Sequence, residues 1–246
     1  ANPGVGAVFS HVQCIDENNR PLVVEWFNQP NKPRTAWLRS LFFNENQLCH
    51  PSALVRRSAY EQAGLYRSAN AQTDDAEMWT RLLMIADIHV VQEKLTLHRI
   101  FSDQSNESGE RPDRRARMWL EWYLQKKHYI GMSLADVLAA FPESERWVTP
   151  KGANSGYLLA MFAIQIGGCP GTRLFGVELL YQLMNNSEER ADIEALHGFT
   201  YLDFIALTGQ EDFFNPAAIA PVAPRQIPSN PLRRFAGKVL RKLHVL

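Results

Sequence analysis

Residues 49–108 read CHPSALVRRSAYEQAGLYRSANAQTDDAEMWTRLLMIADIHVVQEKLTLHRIFSDQSNES. This stretch decides the fold class, because strand and helix signals alternate along it. Ser52–Val55 is a short apolar run of strand character, and Ser58 stands where a side chain can N-cap a helix that runs through Ala63 and stops at Gly64. Thr73 is placed to N-cap a second helix. Its first turn carries Asp74, Asp75 and Glu77, where negative charge suits the helix dipole, and Met78, Leu82, Leu83 and Ile85 give it an apolar face. Ile88–Val91 and Leu95–Ile100 read as two short strands around a turn at Gln92–Lys94, and Ser102–Gly109 is polar loop.

On the N-terminal side, Val5–Val12 is apolar enough for a buried strand, and Asp16–Asn19 is a turn before Pro21–Val24, a hairpin-like opening. Thr35–Phe43 has helical spacing of Trp37, Leu38, Leu41 and Phe42. On the C-terminal side the character changes. Helical spacing dominates in 114–129, 133–140, 155–166, 173–184, 191–196 and 201–207. Prolines 216, 221, 224, 228 and 231 then forbid regular structure and predict a semi-extended linker. The expected organisation is a mixed α/β part over 1–108, a mainly α-helical extension over 109–214, and a linker with a basic tail over 215–246.

With 246 residues and 46% hydrophobic content the chain can bury a real core. Lys and Arg total 26 against 26 Asp and Glu, so bulk charge gives no reason to expect a nucleic-acid partner. Cys14, Cys49 and Cys169 are far apart and lack CxxC spacing, a pattern of free thiols in a reducing compartment and not of a disulfide framework or a zinc site. The longest apolar stretch, 157–168, is too short to cross a bilayer.

The 49–108 segment resembles the acceptor-side half of family 2 glycosyltransferases, inverting nucleotide-sugar enzymes of GT-A fold. Four pieces carry the resemblance in order. Ser52–Arg57 is similar to the family's strand ending in basic residues, and Tyr60–Tyr66 to its helix closing in a glycine and an aromatic. Thr73–Arg81 is similar to its helix with an acidic pair, a Trp and an Arg, and Leu97–Arg99 to the strand that ends in an arginine before a polar loop. The resemblance implies that Asp75, the second acid, is the general base that takes the acceptor hydroxyl's proton. Asp74, about 100° away around the helix, would bind acceptor or orient the base. It places His50 and Trp79 near the acceptor. Arg99 would contact a diphosphate through its guanidinium fork, or make a structural ion pair. Arg81 is open between phosphate and an i,i+4 pair with Glu77. Phe101 stands where members often carry a histidine, which puts metal dependence at that corner in doubt.

In the resembling family a DxD motif, just upstream of a segment like ANPGVGAVFS, holds a divalent cation (Mg or Mn), and no such motif stands there in this chain. The expectation is therefore an acceptor-side fragment of a larger enzyme. That enzyme would transfer a sugar from a nucleotide-sugar donor to a glycan or lipid-linked acceptor in cell-envelope polysaccharide synthesis. The tail 230–246 carries Arg233, Arg234, Lys238, Arg241 and Lys242 among leucines and valines at helical intervals. Such a basic amphipathic helix suits an anionic membrane surface, implying a cytoplasmic, peripheral location, or it docks on protein through its apolar stripe. The alternative function is a non-catalytic membrane- or partner-binding helical module with a degenerate glycosyltransferase remnant.

Overall fold

The computed structural model describes residues 2–102, 112–210, 212 and 213, with 112 and 113 described by their backbone alone. Residues 1–208 form one compact unit, and the basic tail and proline-rich linker lie outside the described residues. An N-terminal mixed sheet packed with helices is followed by a mainly α-helical region.

The sheet has three strands in the order β2-β1-β3, where β1 is Val5–Ile15, β2 is Leu54–Val55 and β3 is Asp87–Arg99. β2 runs antiparallel to β1, and β3 runs parallel to it. Two expectations change here. The two strands expected in 88–100 are one, because both halves pair with β1 and not with each other. The pairing passes from Ser10↔Val91 to His11↔Lys94 and Val12↔Thr96, so Gln92–Lys94 is a bulge in a parallel ladder and not a turn. The expected hairpin partner Pro21–Val24 makes only a single bridge, Ile15↔Pro21. Proline offers no N–H to a ladder, and side-chain amides take over instead. Asn28 pairs with both backbone groups of Val12, and Asn31 with both of Val90.

Helices α1 (Arg34–Phe42), α2 (Arg57–Ala63) and α3 (Asp74–Leu83) accompany the sheet. α2 begins from Arg56 with no side-chain cap, so Ser58 lies inside it, whereas Gly64 ends it at φ 81°, a conformation that glycine adopts without strain. The helical region comprises α4 (Pro112–Lys126), α5 (Leu134–Ala140), α6 (Ser155–Gln165), α7 (Pro170–Asn185), α8 (Ser187–His197) and α9 (Tyr201–Thr208). Ser133, Asn154 and Asn186 cap α5, α6 and α8 through side-chain oxygens. No described helix is long and apolar enough to cross a membrane.

One apolar core joins the sheet part to the helices. Phe42 at the end of α1 is its hinge point, with ring centroids 5.1 Å from Tyr129, 4.8 Å from Phe141 and 5.7 Å from Phe162. α6 is buried almost all round, as its unbroken apolar sequence requires. α7 crosses it closely at Gly176, where an added Cβ would lie 2.7 Å from the Ala160 carbonyl oxygen and 2.8 Å from Ile164 Cγ1. Backbone cannot yield there as a side chain can. Gly176→Ala is therefore expected to destabilise the protein by about 2 kcal/mol, as overpacking of a dense core does, and thermal unfolding of the variant checks this.

Candidate functional site

The site is built around the first turn of α3. The chain enters that helix through Ala71–Thr73, whose three backbone N–H groups all point at one carboxylate. Glu121 of α4 accepts from Ala71 N at 2.9 Å, Gln72 N at 2.8 Å and Thr73 N at 2.8 Å, and Thr73 Oγ1 donates to it at 3.3 Å. Thr73 is the N-cap residue by position, but its side chain caps nothing. The capping is supplied in trans by a glutamate only 3% exposed. Glu121→Ala strips three amides of their acceptor and is expected to lower stability by about 3 kcal/mol, read as a fall in the unfolding temperature.

Held this way, Asp74 and Asp75 line a cavity of about 450 Å³ together with His50, Asn46, Phe27 and His98. Asp75 Oδ2 accepts from Asn46 Nδ2 at 2.8 Å, and Oδ1 accepts from Ala76 N at 2.7 Å. Asn46 is itself fixed, since Leu48 N donates to its Oδ1 at 3.2 Å and Trp26 Nε1 to its carbonyl at 2.9 Å. Burial raises the Asp75 carboxyl above the ordinary aspartate range; the Ala76 amide opposes this, the neighbouring Asp74 charge adds to it, and His50 and Asn46 oppose it. Each Asp75 oxygen has one protein donor and keeps lone-pair capacity for a ligand. A carboxylate so placed can accept a proton from a hydroxyl brought into the cavity.

Across the cavity, burial lowers the basicity of His98. Its Nδ1 lies 3.9 Å from Cys49 Sγ, and its ring meets Phe27 edge-on at 5.3 Å. Burial, then the neighbouring Cys14, pushes the Cys49 thiol up to about 11, so it is no thiolate near neutral pH. All three cysteines are free.

Three of the six residues singled out from the sequence, Asp74, Asp75 and His50, meet in this cavity. His50 is exposed and bonds Tyr66 Oη through Nε2 at 3.0 Å. Trp79, Arg81 and Arg99 are not among its lining residues. Trp79 is fully buried against Phe9, with centroids 4.8 Å apart, so it supports the site's floor from inside the core. Arg81 turns away from phosphate chemistry altogether: its guanidinium donates to both Glu77 oxygens and to the carbonyls of Ala63, Gly64 and Leu65. The pair with Glu77 holds, but it is buried and clamps the end of α2 onto α3. Arg99 donates to the Asp16 carbonyl and to Asn19 Oδ1, both at 2.8 Å, and so ties the end of β3 to the turn after β1.

Asn46, Glu121, His98 and Phe27 were not legible as site residues. Asn46 and Phe27 sit in irregular segments, and Glu121 looks in sequence like any acid on a solvated helix face. Among the described residues no three His, Cys, Asp or Glu side chains are grouped so as to hold a metal ion. Comparison of the chain with protein-family models, curated proteins and solved structures gives no significant match.

Proposed function

We propose that the cavity receives the acceptor of an inverting sugar transfer and that Asp75 is its general base. The observation that supports this reading is the Asp75 carboxylate on the cavity wall, half-buried, fixed by Asn46 and the α3 amide, and with lone pairs unused. In the step proposed, the acceptor oxygen bonds the donor's anomeric carbon while its proton passes to Asp75. The bond from that carbon to the diphosphate breaks, the leaving group keeps the electron pair, and configuration inverts. Asp74 would bind acceptor hydroxyls beside the base. On this reading the nucleotide-sugar and its cation are held by groups other than the described residues, and the resemblance carries the cell-envelope role and a cytoplasmic, membrane-peripheral location.

A second reading has an observation of its own. The described residues form no metal-ligating cluster, and no Lys or Arg is among the described residues lining the cavity, features that favour a binding module without catalysis over a complete transferase. Thermal shift with UDP-, GDP- and dTDP-sugars, each with Mg²⁺ or Mn²⁺, followed by incubation with saccharide acceptors, separates the two. Sugar transfer that depends on Asp75 supports the transferase. Saccharide binding with neither nucleotide stabilisation nor transfer supports the module.

A further inference from the structure

We propose that the cavity selects an uncharged sugar and rejects acceptors that carry phosphate or carboxylate on the docking unit. This deepens the reading of the cavity as an acceptor site and rests on it. Two independent features carry it. The first is the charge of the wall. Asp74 and Asp75 face the cavity, and among its described lining residues the side chains that carry nitrogen donors are the amides of Asn46 and Gln72, the imidazoles of His50 and His98 and the indole of Trp122. No ammonium or guanidinium is among them to pair with an anion, and burial holds His98 towards its neutral form.

The second feature is what became of the natural anion site. A loop whose successive N–H groups converge at a helix N-terminus is where proteins hold phosphate or carboxylate. Here Ala71, Gln72 and Thr73 make that concavity, and the chain's own Glu121 carboxylate fills it. An incoming anion would find those donors taken and two aspartates beside them. What remains suits a neutral pyranose: Phe27, Met118 and Trp122 for the C–H face, and carboxylates and amides for the hydroxyls.

Ligand-detected saturation-transfer NMR at pH 7.5 tests this on the intact chain. The probes are methyl glycosides of glucose, galactose, mannose and N-acetylglucosamine, against glucuronate, galacturonate and the 6-phosphates of glucose and mannose. At least one neutral glycoside is expected to bind tenfold or more tightly than its charged counterpart, the order expected for like charges a few ångströms apart in a partly buried site. Asp74→Asn, which leaves the Asp75–Asn46 bond in place, is expected to shrink that ratio at least threefold. Anionic sugars binding as tightly as neutral ones would overturn the selectivity while leaving the acceptor reading intact. Binding of no saccharide, or binding unaffected by Ala71→Trp at the exposed rim of the cavity, would instead overturn the acceptor reading and the inference with it.

Discussion

Asp75→Asn is expected, on the proposed reading of Asp75 as general base, to lower the rate of sugar transfer by about 10³-fold, the range over which a positioned base contributes, with little change in acceptor affinity. Asparagine keeps the shape and can still accept from Asn46, but it cannot take the proton. The stability of the same variant sharpens the test. A carboxyl whose folded pKa lies above its unfolded value makes the ionised fold less favourable as pH rises through that range, so removing the charge is expected to leave the unfolding temperature unchanged or higher near neutrality. Lost transfer with undiminished stability is the signature of a catalytic carboxylate, and lost stability would mark a structural one. The acid limb of the pH–rate profile should lie above the ordinary aspartate range, because burial raises this group. Asn46→Ala should move that limb higher still, since it deletes a hydrogen bond to the ionised form. An acid limb unmoved by Asn46→Ala would separate Asn46 from the base.

Glu77 stands two residues further along α3 and is the opposite kind of carboxylate. It is 2% exposed, with Oε1 accepting from Arg81 Nε at 2.8 Å and His128 Nε2 at 2.7 Å, Oε2 from Arg81 Nη2 at 2.7 Å, and Arg67 Nε 2.8 Å from Oε1. Burial by itself would raise its pKa, but the bonds from His128 and Arg81 outweigh that and hold it down at about 2. Glu77→Ala leaves the buried Arg81 guanidinium without its counter-charge. The expected loss is about 4 kcal/mol, a fall of roughly 10 °C in unfolding temperature. The pH dependence follows from the sign of the shift. A depressed carboxyl contributes its stability in full above its unfolded value near 4.5 and loses it as pH falls towards 2. The gap in unfolding temperature between wild type and Glu77→Gln should therefore close across that window. A gap independent of pH would show that the clamp works through shape and not charge.

The two acids show why adjacent positions in one motif part company. Asp74, Asp75 and Glu77 are equally acidic first-turn residues in sequence, and helix geometry sends them to different faces. Which face meets a cavity and which meets Arg81 and His128 depends on where α2 and α4 pack, and α4 is some forty residues away. For the same reason Glu121 has no sequence signal: its role exists only because its helix delivers a carboxylate to three amides of a distant loop.

Local chemistry determined much by itself. The stop of α2 at Gly64, the helical spacing of α5 and α6, and the change from mixed α/β to helical all follow from interactions within a few residues, which the chain carries wherever it goes; α3 does start after Thr73, but the contact that holds that start comes from Glu121 and not from the Thr73 side chain. Long-range pairing decided the rest. Gln92–Lys94 has the composition of a turn, and became a bulge because β1 offered a continuous parallel edge to both halves of β3. Pro21–Val24 has strand character but makes only the Ile15↔Pro21 bridge, and the amide of Asn28 pairs with the Val12 backbone instead. Arg81 had two partners available in sequence; burial beside Glu77 and the end of α2 chose between them, since a guanidinium taken out of water must satisfy all its donors at once. The sequence alone thus placed the acids at a helix start, and only the tertiary structure, by filling the neighbouring amides with Glu121 and fixing Asp75 with Asn46, made one of them a candidate base.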